Sequence, residues 1–124
     1  MLVIAIKKVV SHSYLAHVKI SNPIMHQHII NAAIQIVPIV ADRHPYEWVD
    51  EAIAIIKQKG IKHEVGPFAT VVEGTYDEVL QVINAINEHL QQRGCDEWIL
   101  NTQIQIRSNR SVTGDEKTEK FKNG

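Results

Sequence analysis

Ile61-Lys62-His63-Glu64-Val65-Gly66-Pro67-Phe68-Ala69-Thr70-Val71-Val72-Glu73-Gly74 is the stretch that decides how this chain folds. Two short runs suited to strands, 61–65 and 68–73, flank Gly66-Pro67, and Gly74 closes the second. Proline has no N–H to give a strand ladder, so Pro67 belongs to a turn and the two runs read as a β-hairpin. Helical periodicity lies on both sides of it. Two strands that follow one another directly between two helices are not what a simple βαβ repeat produces.

Upstream, Trp48, Val49, Ala52, Ile53 and Ile56 recur at helical spacing between Pro45, which suits a helix's first turn, and Gly60, which suits its end. Downstream, Thr75-Tyr76-Asp77-Glu78 has the form of a capping box. Tyr76, Val79, Val82, Ile83, Ile86 and Leu90 then line one helix face until Gly94, which suits a left-handed stop. Outside the helices, Ile29 to Pro38 reads as a first strand with Ala32, Ile34 and Ile36 facing one way and Asn31, Ala33 and Gln35 the other. Glu97 to Arg107 alternates throughout, with Trp98, Leu100, Thr102, Ile104 and Ile106 opposite Ile99, Asn101, Gln103, Gln105 and Arg107.

The order is therefore β-α-β-β-α-β, the split pattern of an α+β, ferredoxin-like domain: a four-stranded antiparallel sheet with two helices on one face. The other face is open, and the amides of the first and last strands make it polar. By composition and pattern the chain divides into an N-terminal extension (1–24), the domain (25–108) and a flexible polar tail (109–124). The tail is too polar to order itself alone.

Bulk properties exclude several roles. The chain has 124 residues, 13 basic and 14 acidic side chains and a formal charge of −1, with no basic block for nucleic acid or an anionic membrane. Met1 to Ile6 is apolar but too short to span a bilayer, and Lys7 and Lys8 follow it, the wrong order for a signal peptide. Cys95 is the single cysteine, which leaves no intramolecular disulfide or CxxC metal site and fits a reducing, cytoplasmic setting. Among seven histidines, His26-Gln27-His28 brings two imidazoles to one side of an extended strand, without a third ligand at short spacing. No metal site is expected.

The hairpin also carries the residues best suited to recognition. Gly66-Pro67 fixes how the third strand leaves the turn, so Thr70 and Glu73 sit on a rigid element. Three positions apart, they belong on opposite faces of a regular strand, and sharing one site would require a bulge or a place at the strand's end. On spacing alone, Thr70 is an ordinary strand residue and Glu73 a solvated carboxylate.

The run from His63 to Gly74, with Ala52 to Gly60 and Gln35-Ile36-Val37-Pro38, closely resembles the small thiamine-binding protein family, the YkoF-like proteins of ferredoxin-like fold. That family's Glu-Val-Gly-Pro, Thr and Glu-Gly pattern stands here as Glu64 to Pro67, Thr70 and Glu73-Gly74, and the likeness covers about residues 28–107. The resemblance implies a non-enzymatic binder of thiamine or its hydroxymethylpyrimidine part, assembled as a homodimer or homotetramer through sheet contacts. Thiamine is then the ligand, with no cofactor, nucleic acid or membrane partner. Its aminopyrimidine needs a carboxylate or amide pair and an apolar wall. Glu73 suits the amino group or a protonated ring nitrogen, Thr70, Gln35 and Asn101 the remaining edge, and Phe68 or Pro38 the ring face.

Two other readings stand beside this one. The open sheet face could serve only to assemble copies of the chain. The fold also hosts acylphosphatases, but Asp42-Arg43-His44 occupies the first strand-to-helix connection, where such an enzyme needs a glycine-rich anion loop. No nucleophile motif stands beside a base, so no catalytic residue is assigned.

Overall fold

The computed structural model describes residues 27–122. The extension expected over 1–24, and His26, lie outside them. Strand β1 runs Ile30–Pro38, and its even positions Ile30, Ala32, Ile34 and Ile36 are buried. Helix α1 (Pro45–Lys59) follows, then β2 (Lys62–Val65), β3 (Thr70–Gly74), helix α2 (Tyr76–Gln92) and β4 (Trp98–Gln105). The sheet order is β2-β3-β1-β4 with every neighbouring pair antiparallel, as the split βαβ reading requires.

Local chemistry explains each boundary. The α1 cap is His44, whose Nδ1 accepts from the Tyr46 amide at 3.1 Å while Glu47 reaches back to the His44 N–H at 3.2 Å. Gly60 ends the helix at φ +71°, a conformation that any Cβ would strain. At α2 the Thr75–Glu78 box forms in both directions, at 2.9 and 3.2 Å. Its C-terminus is a Schellman motif: Cys95 N–H donates to the Leu90 carbonyl and Gly94 N–H to the Gln91 carbonyl, with Gly94 at φ +84°.

The hairpin strands are shorter than the sequence pattern suggests. The Gly66 amide donates to the Ala69 carbonyl at 2.9 Å, which draws Phe68 and Ala69 into the turn and starts β3 at Thr70. Both helices lie against one sheet face, and Trp48, Ala52 and Ile56 of α1 meet Val79, Val82, Ile86 and Leu90 of α2 over the β1 isoleucines and Val72. Trp98 packs at the edge of this core, its indole N–H donating to Asn87 Oδ1 at 2.9 Å. The two helices are also joined by Glu51, which pairs with Arg43, with His89 at 2.7 Å and with Arg93 at 3.4 Å, while Arg43 stacks 3.7 Å over Trp48. Hydrogen bonds from Arg43 above all, then from His89 and Arg93, together with the Arg43 charge, outweigh desolvation and hold the Glu51 carboxyl at about 2.

One expectation is overturned. The segment read as a flexible polar tail carries a third helix, α3 (Gly114–Lys122). Its Thr113–Glu116 capping box forms at 2.9 and 3.3 Å, and Val112 just before it is fully buried, donating its amide to the Ile29 carbonyl. None of the helix's own side chains is buried. What orders α3 is one apolar anchor plus polar partners on the sheet, which a reading of segment polarity does not see.

Candidate functional site

On the sheet face away from α1 and α2, register brings residues of all four strands into rows. Lys62, Glu73, Asn31 and Gln105 make one row, and Glu64, Val71, Ala33 and Gln103 the next. The N-terminus of α3 lies over the first row. There Glu73, with only 9% of its side chain exposed, accepts at Oε1 from Asn31 Nδ2 (3.3 Å) and the Gly114 amide, and at Oε2 from Lys62 Nζ (3.3 Å). Asn31, itself 9% exposed, accepts at Oδ1 from Lys117 Nζ at 2.9 Å. Lys62 also reaches Asp115 at 3.5 Å, and its pKa rises through the Glu73 hydrogen bond first and the two carboxylate charges next.

These residues wall a cavity of about 200 Å³ that includes Asn31, Lys62, Glu64, Val71, Glu73 and Lys117. A second, more open hollow of about 520 Å³ continues along the sheet past Ala33, Gln103 and Gln105, sharing Asn31, Val71 and Lys117 with the first. Gly114 makes the close approach possible: a Cβ there would lie 2.9 Å from Glu73 Oε1. The arrangement offers a shielded carboxylate and an amide oxygen as acceptors, beside an apolar strip of Ala33 and Val71. That set suits a small flat ligand with N–H donors on one edge.

The six residues singled out from sequence separate into three places. Glu73 is in the cavity. Gln35 and Asn101 share its sheet face but sit four residues along β1, roughly 13 Å away at the rise of a strand. There the Gln35 amide is engaged: its Nε2 donates to the Phe68 carbonyl at 3.0 Å and its Oε1 accepts from Asn101 Nδ2 at 3.1 Å. These bonds moor the hairpin tip, where Phe68 is 82% exposed. Thr70 and Pro38 fall on the helix side. Thr70 is opposite Ile34, buried among Ile36, Ala52, Ile56 and Ile86, and Pro38 is paired with Trp98. β3 runs without a bulge from Thr70 to Gly74 in register with β1, so Thr70 and Glu73 keep opposite faces.

Residues that sequence reasoning did not assign complete the cavity: Asn31, Lys62, Gly114 and Lys117. Asn31 was visible as an open-face amide. Thr113-Gly114-Asp115-Glu116 carries the capping-box spelling that announces α3, and only the missing apolar stripe hid it. Among the described residues, no group of three or more His, Cys, Asp or Glu is placed to hold a metal ion, and no helix is long and apolar enough to cross a membrane.

Fold and site together define a ferredoxin-like α+β domain with a carboxylate-centred pocket on its open sheet face. The chain belongs to the thiamine-binding protein family, whose model matches residues 32–122 and so takes in α3, beyond the 28–107 read from sequence. It is 36% identical over 92 residues to UPF0045 protein CPE1503 of Clostridium perfringens, covering 74% of this chain and 96% of that one. Among solved structures it is similar to a domain of unknown function, DUF77, from Bacillus cereus, with TM-score 0.74 and 30% identity over 78% of this chain and 93% of that one. It is also similar to a candidate thiamine biosynthesis/salvage protein from Thermotoga maritima, with TM-score 0.69 and 31% identity over 76% and 99% of the two chains.

Proposed function

We propose that this protein binds thiamine or its hydroxymethylpyrimidine part without chemically changing it, and so buffers, delivers or senses the vitamin in the cytoplasm. The observation that carries the reading is the Glu73 carboxylate, shielded from solvent at the wall of a cavity and already surrounded by N–H donors from three elements. A carboxylate so placed accepts from an exocyclic amino group or a protonated ring nitrogen, and Asn31 Oδ1 beside it takes a second donor from the same edge. Ala33 and Val71 offer the ring an apolar floor. The family and the Thermotoga maritima relative point to the same ligand class.

The far end of the sheet suits subunit contact. Val37, Ile99 and Phe68 expose apolar surface beside the Gln35–Asn101 pair, and a homodimer or homotetramer would cover it. The ligand reading is tested by thermal unfolding with millimolar thiamine, thiamine phosphates and the bare pyrimidine. A ligand at a hundred times its Kd adds about 2.7 kcal/mol to native stability. A clear rise in Tm with thiamine or the pyrimidine is the expected result. No shift with any of them refutes the ligand and leaves the oligomeric face as the function of the sheet.

A further inference from the structure

We propose that α3 is a displaceable strap that occupies the ligand's own hydrogen-bonding positions, so that the site is closed in the empty protein and opens by release of this helix. The inference rests on the reading of the Glu73 cavity as the ligand site. The acceptor atoms a ligand would need are taken: Glu73 Oε1 by the Gly114 amide and Asn31 Oδ1 by Lys117 Nζ, both from α3. The strap thus presents an N–H and an ammonium to the groups that would receive an aminopyrimidine edge.

Its attachment is of the kind that lets go. No side chain of α3 is buried, and its further ties, Asp115 to Lys62 at 3.5 Å and Glu116 to Arg107 at 2.8 Å, join side chains that all remain in contact with solvent, from 26% exposed at Arg107 to 65% at Lys62. Exposed pairs of this sort hold weakly and are screened by salt. The segment before it is fixed differently. Val112 is fully buried, its amide donates to the Ile29 carbonyl, and Ser111 Oγ accepts from the Ile29 amide at 2.9 Å. The boundary between firm and weak attachment falls at Thr113-Gly114. Release at that point frees Glu73 and Asn31 while Val112 keeps the strap tethered for return.

The test is hydrogen exchange read by mass spectrometry on the full chain, with and without thiamine, in wild type and Thr113→Ala. Thr113 caps α3 but does not line the cavity, so its loss loosens the helix by about fivefold, the usual effect of removing a cap, without touching the acceptors. In the free protein, the amides of 117–122 should exchange far faster than Val112 and the β1 core. Thiamine should deprotect 117–122 further while Val112 stays protected, and Thr113→Ala should bind thiamine several-fold more tightly. Exchange of α3 at the rate of the core, greater protection of α3 on adding thiamine, or weaker binding by Thr113→Ala would each make α3 a fixed wall and overturn the strap. If α3 opens on its own in the free protein but thiamine alters neither exchange nor Tm, the proposed ligand fails and the strap stands.

Discussion

Replacing Glu73 by Gln tests the site with little change of shape. The carbonyl oxygen of the new carboxamide can still accept from Asn31 and the Gly114 amide, but its NH2 faces Lys62 Nζ, a donor against a donor. Lys62 is 65% exposed and turns to water, and the carboxamide oxygen keeps the Asn31 and Gly114 bonds, so the variant should still fold. The cost falls on binding, because the ligand loses a charge-assisted hydrogen bond in a shielded cavity, about 1.5–3 kcal/mol. That corresponds to a loss of affinity between about tenfold and a hundredfold. Titration calorimetry with thiamine and with the bare pyrimidine measures it, beside a circular-dichroism melt of the same samples. Unchanged affinity in a variant that melts within a few degrees of wild type would remove Glu73 from the site.

Thr70→Val should leave thiamine affinity within about twofold, since Thr70 faces the helices and not the cavity; a tenfold loss in calorimetry would mean that the hairpin rearranges on binding. Gly66→Ala places a Cβ 2.8 Å from the Ala69 carbonyl oxygen, a backbone atom that cannot swing aside. The turn must open, and a fall of about 1–3 kcal/mol in denaturant unfolding is expected; no change would show that the turn tolerates a shift. Glu51 has a folded pKa of about 2, below its ordinary 4.5, so its contribution is complete above the ordinary value and lost as pH falls from there towards 2. For a partly exposed carboxylate with several charged donors, Glu51→Gln should cost about 1–2 kcal/mol at pH 7, and the gap in Tm between wild type and variant should close near pH 2. A gap independent of pH would assign the loss to packing instead.

Period and punctuation in the sequence determined the architecture. The alternation Ile30, Ala32, Ile34, Ile36 matches the pleat, the Val79 to Leu90 stripe matches a helix turn, and Gly66-Pro67 sets two strands side by side between the helices. These signals are local, so one segment suffices to read them. The alternation also separated Thr70 from Glu73, as the register bears out. Tertiary structure alone decided which open-face groups meet. Gln35 and Asn101 spend their amides on the hairpin tip and each other, whereas Asn31 and Glu73 are joined by a helix 41 residues downstream of Glu73 in the chain. The polarity of 114–122 argued against order when read alone, because a helix without an apolar stripe has nothing of its own to bury. Its partners lie on strands remote in sequence, and hydrogen bonds to remote partners leave no periodic trace in the segment that makes them.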